Sequence, residues 1–178
     1  MGISDLGRSQ AEALAGFLHR KFSIDAIYAS PMRRVWLTLE PLLARVQVEP
    51  RVVDGLREVD FGHWTGLGWD AVRQRYGARA FEWLDHLENG TMAGAEPASA
   101  FRARVQGAVE HILGEAQGRT VAVACHGGVI RMALAALLDL PLSKMRHLEI
   151  DYASLTWVDC HDHKREVQLH NLVPWRDL

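Results

Sequence analysis

Between Ser4 and Phe22 the apolar residues Leu6, Ala13, Leu14, Phe17 and Leu18 recur at the spacing of one helix face, and Ser4 stands where it can cap the first turn. This predicts an amphipathic helix. The run DAIYAS (25–30) is short, apolar and not alternating, as a buried strand is, and Pro31 sits where the next helix would place its first residue. That helix is predicted over about Met32 to Leu39 and should weaken at Pro41. The β-branched stretch Val46 to Val53 then predicts a second, exposed strand. Gly55 to Gly68 reads as a loop dense in Arg, Glu, Asp, Trp and Gly. Trp69 to Glu88 is a helical excursion, and the Gly-, Ala-, Pro- and Ser-rich segment 89–99 closes it.

A further helix is predicted from Ala100 to Ala116, ended by Gly118, and TVAVAC (120–125) is the clearest buried-strand signal in the chain. After His126, Gly127 and Gly128 a helix should begin near Val129. ASLTWVDC and REVQLHNL, separated by His161 to Lys164, read as a hairpin. Strands separated by helices predict an α/β domain with a largely parallel sheet, whose sites lie beyond the carboxyl ends of the strands. Ser30–Arg34 and Cys125–Arg131 occupy such positions. With 178 residues, 48% of them hydrophobic, and with no repeats or linkers, a single domain (1–178) is expected.

A net charge of −2 supplies no general attraction for nucleic acid or an anionic membrane, so an anion site has to be assembled from a few basic side chains. No apolar run approaches the roughly 20 residues that span a bilayer. Two cysteines are too few for a disulfide framework and the first residues lack a signal-peptide core, so a cytoplasmic location is expected.

At Cys125–Arg131 the chain leaves a strand, crosses two glycines and enters a helix, so unpaired N–H groups can face an anion. His126 could donate to a phosphate oxygen or carry positive charge there; the bland reading is a packed histidine. Arg34, one turn into its helix in YASPMRR, could hold phosphate in bidentate fashion, whereas Arg33 reads as solvated. Glu58 lies in LREVDFGHWTG, where Phe61 and Trp64 could desolvate a carboxyl and fit it for general-acid work; a plain loop carboxylate is the alternative.

CHGGVIR also satisfies C-x-x-G-x-x-R, the phosphate cradle of cysteine-dependent phosphatases, in which the helix N-terminus would lower the pKa of Cys125. Against it, Arg34 and Glu58 would go unused. His161, His163 and His170 could offer two metal ligands on the hairpin, but Cys160 and Asp162 complete no convincing set, and neither metal nor cofactor is expected.

Taken together, SPMRRV, LREVDFGHWTG and HGGVIR resemble, in the same order, the SPLxRA-, LxExxFGxWEG- and HGGxIR-like segments of the histidine phosphatase (phosphoglycerate mutase-like) superfamily. Gly2 to Ala11 is similar to the family's LTxxGxxQA helix start, and Gly94 to Pro97 to its GES-like turn. The resemblance implies a three-layer α/β/α sandwich, a small phosphorylated metabolite as partner, homodimerisation as an allowed state, and 69–99 as part of a substrate lid. It implies Arg34 and Gly127 as phosphate-binding groups, Glu58 as the catalytic acid, and His126 as both a phosphate ligand and a catalytic stabiliser of charge. The loop motif followed by Trp69, Asp70 and Val72 is also reminiscent of α-ribazole phosphatases. Thr65 and Cys125 depart from the usual acidic and small hydroxyl residues without removing a catalytic group.

Family members begin with a strand ending in RHG, whose histidine accepts the phosphoryl group; here the matching segments start at the helix that follows it, and none of the nine histidines replaces it by motif. The expectation is a domain without its first strand, belonging to a protein that hydrolyses phosphomonoesters through phosphohistidine. The competing expectation is a degenerate domain that binds phosphorylated ligands without turnover.

Overall fold

Strand β1 (Ala26–Ala29) is buried along its whole length because its alternate residues serve opposite layers: Ala26 and Tyr28 enter one apolar cluster, Ile27 and Ala29 another. The computed structural model describes residues 2–177, the side chain of Phe81 excepted. Parallel strands β2 (Pro50–Val52) and β3 (Val121–Ala124) flank β1 in the order β2-β1-β3. One face is covered by α1 (Asp5–Lys21) and α2 (Arg33–Leu43) through Ala15, Val35, Leu39 and Leu42. On the other, α5 (Ala98–Glu115) and α6 (Gly127–Leu137) contribute Phe101, Val105, Ile112, Val129 and Met132. The domain is therefore a layered α/β fold with a parallel sheet, as the pattern predicts.

Ser4 caps α1 as expected, its Oγ accepting from Gly7 N at 3.1 Å. The hairpin also forms, from β4 (Leu155–His161) and antiparallel β5 (Lys164–Leu172), but as a separate two-stranded sheet. A short α7 (Pro174–Asp177) packs on α1. The excursion is broken into α3 (Trp69–Tyr76), a 3₁₀ turn at Ala80–Glu82 and α4 (Trp83–Glu88).

Four local expectations are corrected. Helix α2 starts at Arg33, past Pro31, and runs through Pro41 to Leu43, because Leu39 and Leu42 on either side of the proline are buried and packing outweighs the one lost N–H bond. Strand β2 has only three residues; Val46 and Val48 pack against the α1–α2 cluster instead of joining the ladder. Helix α6 begins at Gly127, so both glycines lie in its first turn and His126 is the N-cap. Finally, β3 is not fully buried: Val123 is 43% exposed whereas Tyr28 beside it is 0% exposed. Among the described residues β3 pairs with β1 alone, leaving a free edge of Val and Ala.

Candidate active site

Parallel strands β1 and β3 end on the same side of the sheet, so Ser30 and the first turn of α2 meet His126 and the first turn of α6. Arg34 Nε donates to His126 Nδ1 at 3.1 Å. Because the guanidinium has no acceptor, Nδ1 is unprotonated, the single proton of the neutral ring is on Nε2, and Nε2 donates to Ser30 Oγ at 2.8 Å. Ser30 is fully buried and its Oγ also accepts from Met32 N at 3.3 Å, which fixes the hydroxyl at the start of the β1–α2 turn. Burial, with Arg34, Arg104 and Arg57 nearby, pushes the pKa of His126 down to about 3. At that value the ring is neutral near pH 7.

Glu58 arrives from the loop after β2, which is pinned by buried Leu56 and Val59 on either side. Its Oε2 accepts from Gly128 N at 3.2 Å and its Oε1 from Val59 N at 3.1 Å. Burial raises its pKa above the ordinary carboxylate range, opposed by these amides and by the positive charge of Arg34. Gly128 is required for this contact: a Cβ there would lie 2.5 Å from Glu58 Oε1 and 3.1 Å from Trp83 Cη2. Arg131, from the same HGGVIR segment, bonds Gly127 O at 3.2 Å and Leu148 O at 2.8 Å, which ties the chain after α6 to its first turn. Ile150 consequently stands beside Gly127.

Arg34, Glu58, His126 and Gly127 are thus brought together. Burial, with the Glu58 charge adding to it, pushes the Cys125 thiol up to about 12, the opposite direction to the lowering expected from a helix N-terminus. Among the described residues no group of three or more His, Cys, Asp and Glu side chains could hold a metal ion. Hairpin His170 faces Thr156 Oγ1 at 3.4 Å.

Two residues at the site receive no role from the sequence, although one of them opens the segment Ser30–Arg34 singled out above. One is Ser30, whose only signal is its place before Pro31 at a strand end. The other is Arg104, which looks like a solvated position on α5 but turns its guanidinium under the Glu58 loop, onto the carbonyls of Gly55, Arg57 and Glu58 and the carboxylate of Glu96. The excursion also reaches the site. Trp83 of α4 approaches Gly128, as Glu58 does, Phe61 packs edge-on to Trp83 at 5.3 Å, and 43%-exposed Trp69 packs edge-on to Phe61 at 6.2 Å.

Comparison with known proteins places the chain in a family and agrees with its fold. The sequence model of the histidine phosphatase superfamily, branch 1, matches residues 1–173. Phosphoserine phosphatase 1 of Hydrogenobacter thermophilus is 28% identical over 171 residues, 96% of this chain and 81% of that protein. A bifunctional protein of Mycobacterium tuberculosis is 31% identical over 155 residues, 87% of this chain and 42% of that protein. The crystal structure of the α-ribazole phosphatase from Shigella flexneri superposes with a TM-score of 0.79 at 22% identity, covering 94% of this chain and 83% of that one, a likeness of fold.

Proposed function

The chain belongs to the histidine phosphatase superfamily, and we propose that it provides the phosphate-binding, acid and electrostatic groups of an enzyme that hydrolyses a small phosphomonoester through phosphohistidine. The observation that carries this reading is the convergence of Arg34, His126 and the Glu58 carboxyl on the first turn of α6. A phosphoryl group placed there has Arg34 for its equatorial oxygens and the N–H groups of α6 facing it. Glu58, held protonated to higher pH than an ordinary carboxyl, gives its proton to the leaving oxygen as the P–O bond breaks. The resulting carboxylate then takes a proton from the water that attacks the phosphorus of phosphohistidine, releasing inorganic phosphate and the free imidazole. The relative named a phosphoserine phosphatase supports a phosphomonoester as substrate.

The accepting histidine is, in this proposal, carried on a strand added parallel to the free edge of β3. Such a strand ends beside His126, and the apolar edge with its half-exposed Val123 is suited to receive it. The test is to assay two forms against a panel of phosphomonoesters, with and without chelator: the chain as it stands, and the chain extended upstream of Met1 by the in-frame coding sequence. Chelator-resistant turnover by the extended form, with an acid-labile phosphoenzyme, is expected. Phosphate binding without turnover in both forms would instead establish a ligand-binding domain. Turnover by the shorter chain that vanishes in Cys125→Ser would overturn the histidine mechanism.

A further inference from the structure

We propose that Arg104 is the positioning residue for Glu58: its guanidinium holds the loop that carries Glu58 and the turn that closes the lid as one body, and so seats the carboxyl on the Gly128 N–H. This rests on the reading of Glu58 as the acid.

An arginine has five N–H donors in a planar fork, and here each finds an acceptor. Nε donates to Glu96 Oε1 at 2.6 Å and Nη2 to Glu96 Oε2 at 2.8 Å, a bidentate pair. Nη1 donates to Gly55 O at 2.9 Å and Arg57 O at 2.7 Å, and the second hydrogen of Nη2 goes to Glu58 O at 3.2 Å. The carbonyls on both sides of the Glu58 Cα are therefore fixed, which sets the direction in which its side chain leaves the backbone. The base of the fork is itself immobile: the guanidinium lies 4.8 Å over the ring of Phe101, which is 0% exposed.

The other half of the unit is the turn Ala93–Glu96. Glu96 N donates to Asp60 O and His63 N to Ala93 O, each at 3.0 Å. Gly62, at φ 53°, comes so close to this turn that a Cβ would lie 2.4 Å from Ala93 O and from Ala95 N. The loop after β2 and the end of the excursion are thus stitched together, and Arg104 rivets both to α5.

The test uses the full chain and needs no turnover. The Gly128 amide donates to Glu58, so its NMR shift follows the Glu58 titration, with a midpoint above that of an ordinary glutamate. In Arg104→Gln this response is expected to disappear as Glu58 leaves the amide. Arg104→Lys should lose it as well, because an ammonium keeps the charge but not the fork. Glu96→Gln, which leaves the three carbonyl bonds in place, should weaken the response and lower its midpoint. Val105→Ala, on the same helix but away from the loop, should lower thermal stability and leave the Gly128 titration as in the wild type. Unchanged Gly128 titration in both Arg104 variants, whatever their stability, would overturn the proposal and leave Arg104 a structural residue. Binding of inorganic phosphate, read on the same spectra, separates the two readings. A chain that binds no phosphate yet loses the Gly128 response in the Arg104 variants refutes the proposed function and keeps the positioning role.

Discussion

His126 carries its one ring proton on Nε2, committed to Ser30, and turns a bare Nδ1 toward Arg34. Burial, with the positive charge of Arg34, Arg104 and Arg57 adding to it, holds the histidine pKa near 3; an anion bound by Arg34 offsets the charge contribution and so raises that pKa. Sulfate, which does not titrate here, should consequently bind more tightly at pH 5 than at pH 7.5. Calorimetry in a Glu58→Gln background, which removes the other titrating group, tests this; a His126→Gln, Glu58→Gln chain should show a flat profile. The same depressed pKa bears on stability. The unfolded chain takes up a proton near pH 6.5 that the folded chain refuses until about pH 3, so this histidine's contribution to folding is present above 6.5 and is lost as the pH falls through that window. At Gly128 the limit is steric. Gly128→Ala should displace the carboxyl of Glu58, abolish the amide contact and destabilise the fold by roughly 1–3 kcal/mol, measurable by denaturant unfolding.

Among the elements, α1, β1 and the β4–β5 hairpin follow their local patterns, because an amphipathic stripe, a short apolar run and two strands around a tight polar turn each state their own conformation. Helix α2 and strand β2 depart from pattern where burial of Leu39 and Leu42, or the register on β1, outweighs local preference. The excursion is the element in which pattern says least about purpose: α3 and α4 are helical as predicted, but only packing shows that α4 sets Trp83 beside Gly128. Trp83, Phe61 and Trp69 pack edge-on in series, from buried Trp83 beside Gly128 to exposed Trp69, and in the proposed function this series lines the path of the leaving group. Trp69→Ala should weaken phenyl phosphate about 2- to 10-fold relative to glycerol phosphate, the value of one aromatic contact. Equal losses for both esters, measured by titration calorimetry, would remove the series from the substrate site.

For the molecule as a whole, the informative asymmetry is between two apolar strands. In AIYA and VAVA the sequence shows the same character, yet β1 is sealed on both faces whereas β3, among the described residues, is open along one edge. Ile27→Ala should therefore cost about 2–5 kcal/mol of unfolding free energy, and Val123→Ala under about 1 kcal/mol. If the two cost the same, Val123 is covered in solution and the open edge is not a feature of the folded chain.

The sequence by itself determined the α/β class, the two strand-to-helix junctions, and Arg34, Glu58 and His126 as the residues worth following, because periodicity and short motifs are local properties. Only the tertiary structure decided that Arg104 belongs with them, that Ser30 is the partner of His126, that burial favours the thiol of Cys125 and the neutral ring of His126, and that β3 pairs with β1 alone among the described residues. Each of these depends on what a residue far away in the chain places against it: Arg104 lies 46 positions from the Glu58 carbonyl it binds, Ser30 96 from His126. Burial and the charges of neighbouring groups, which set protonation, come into being only when the layers close.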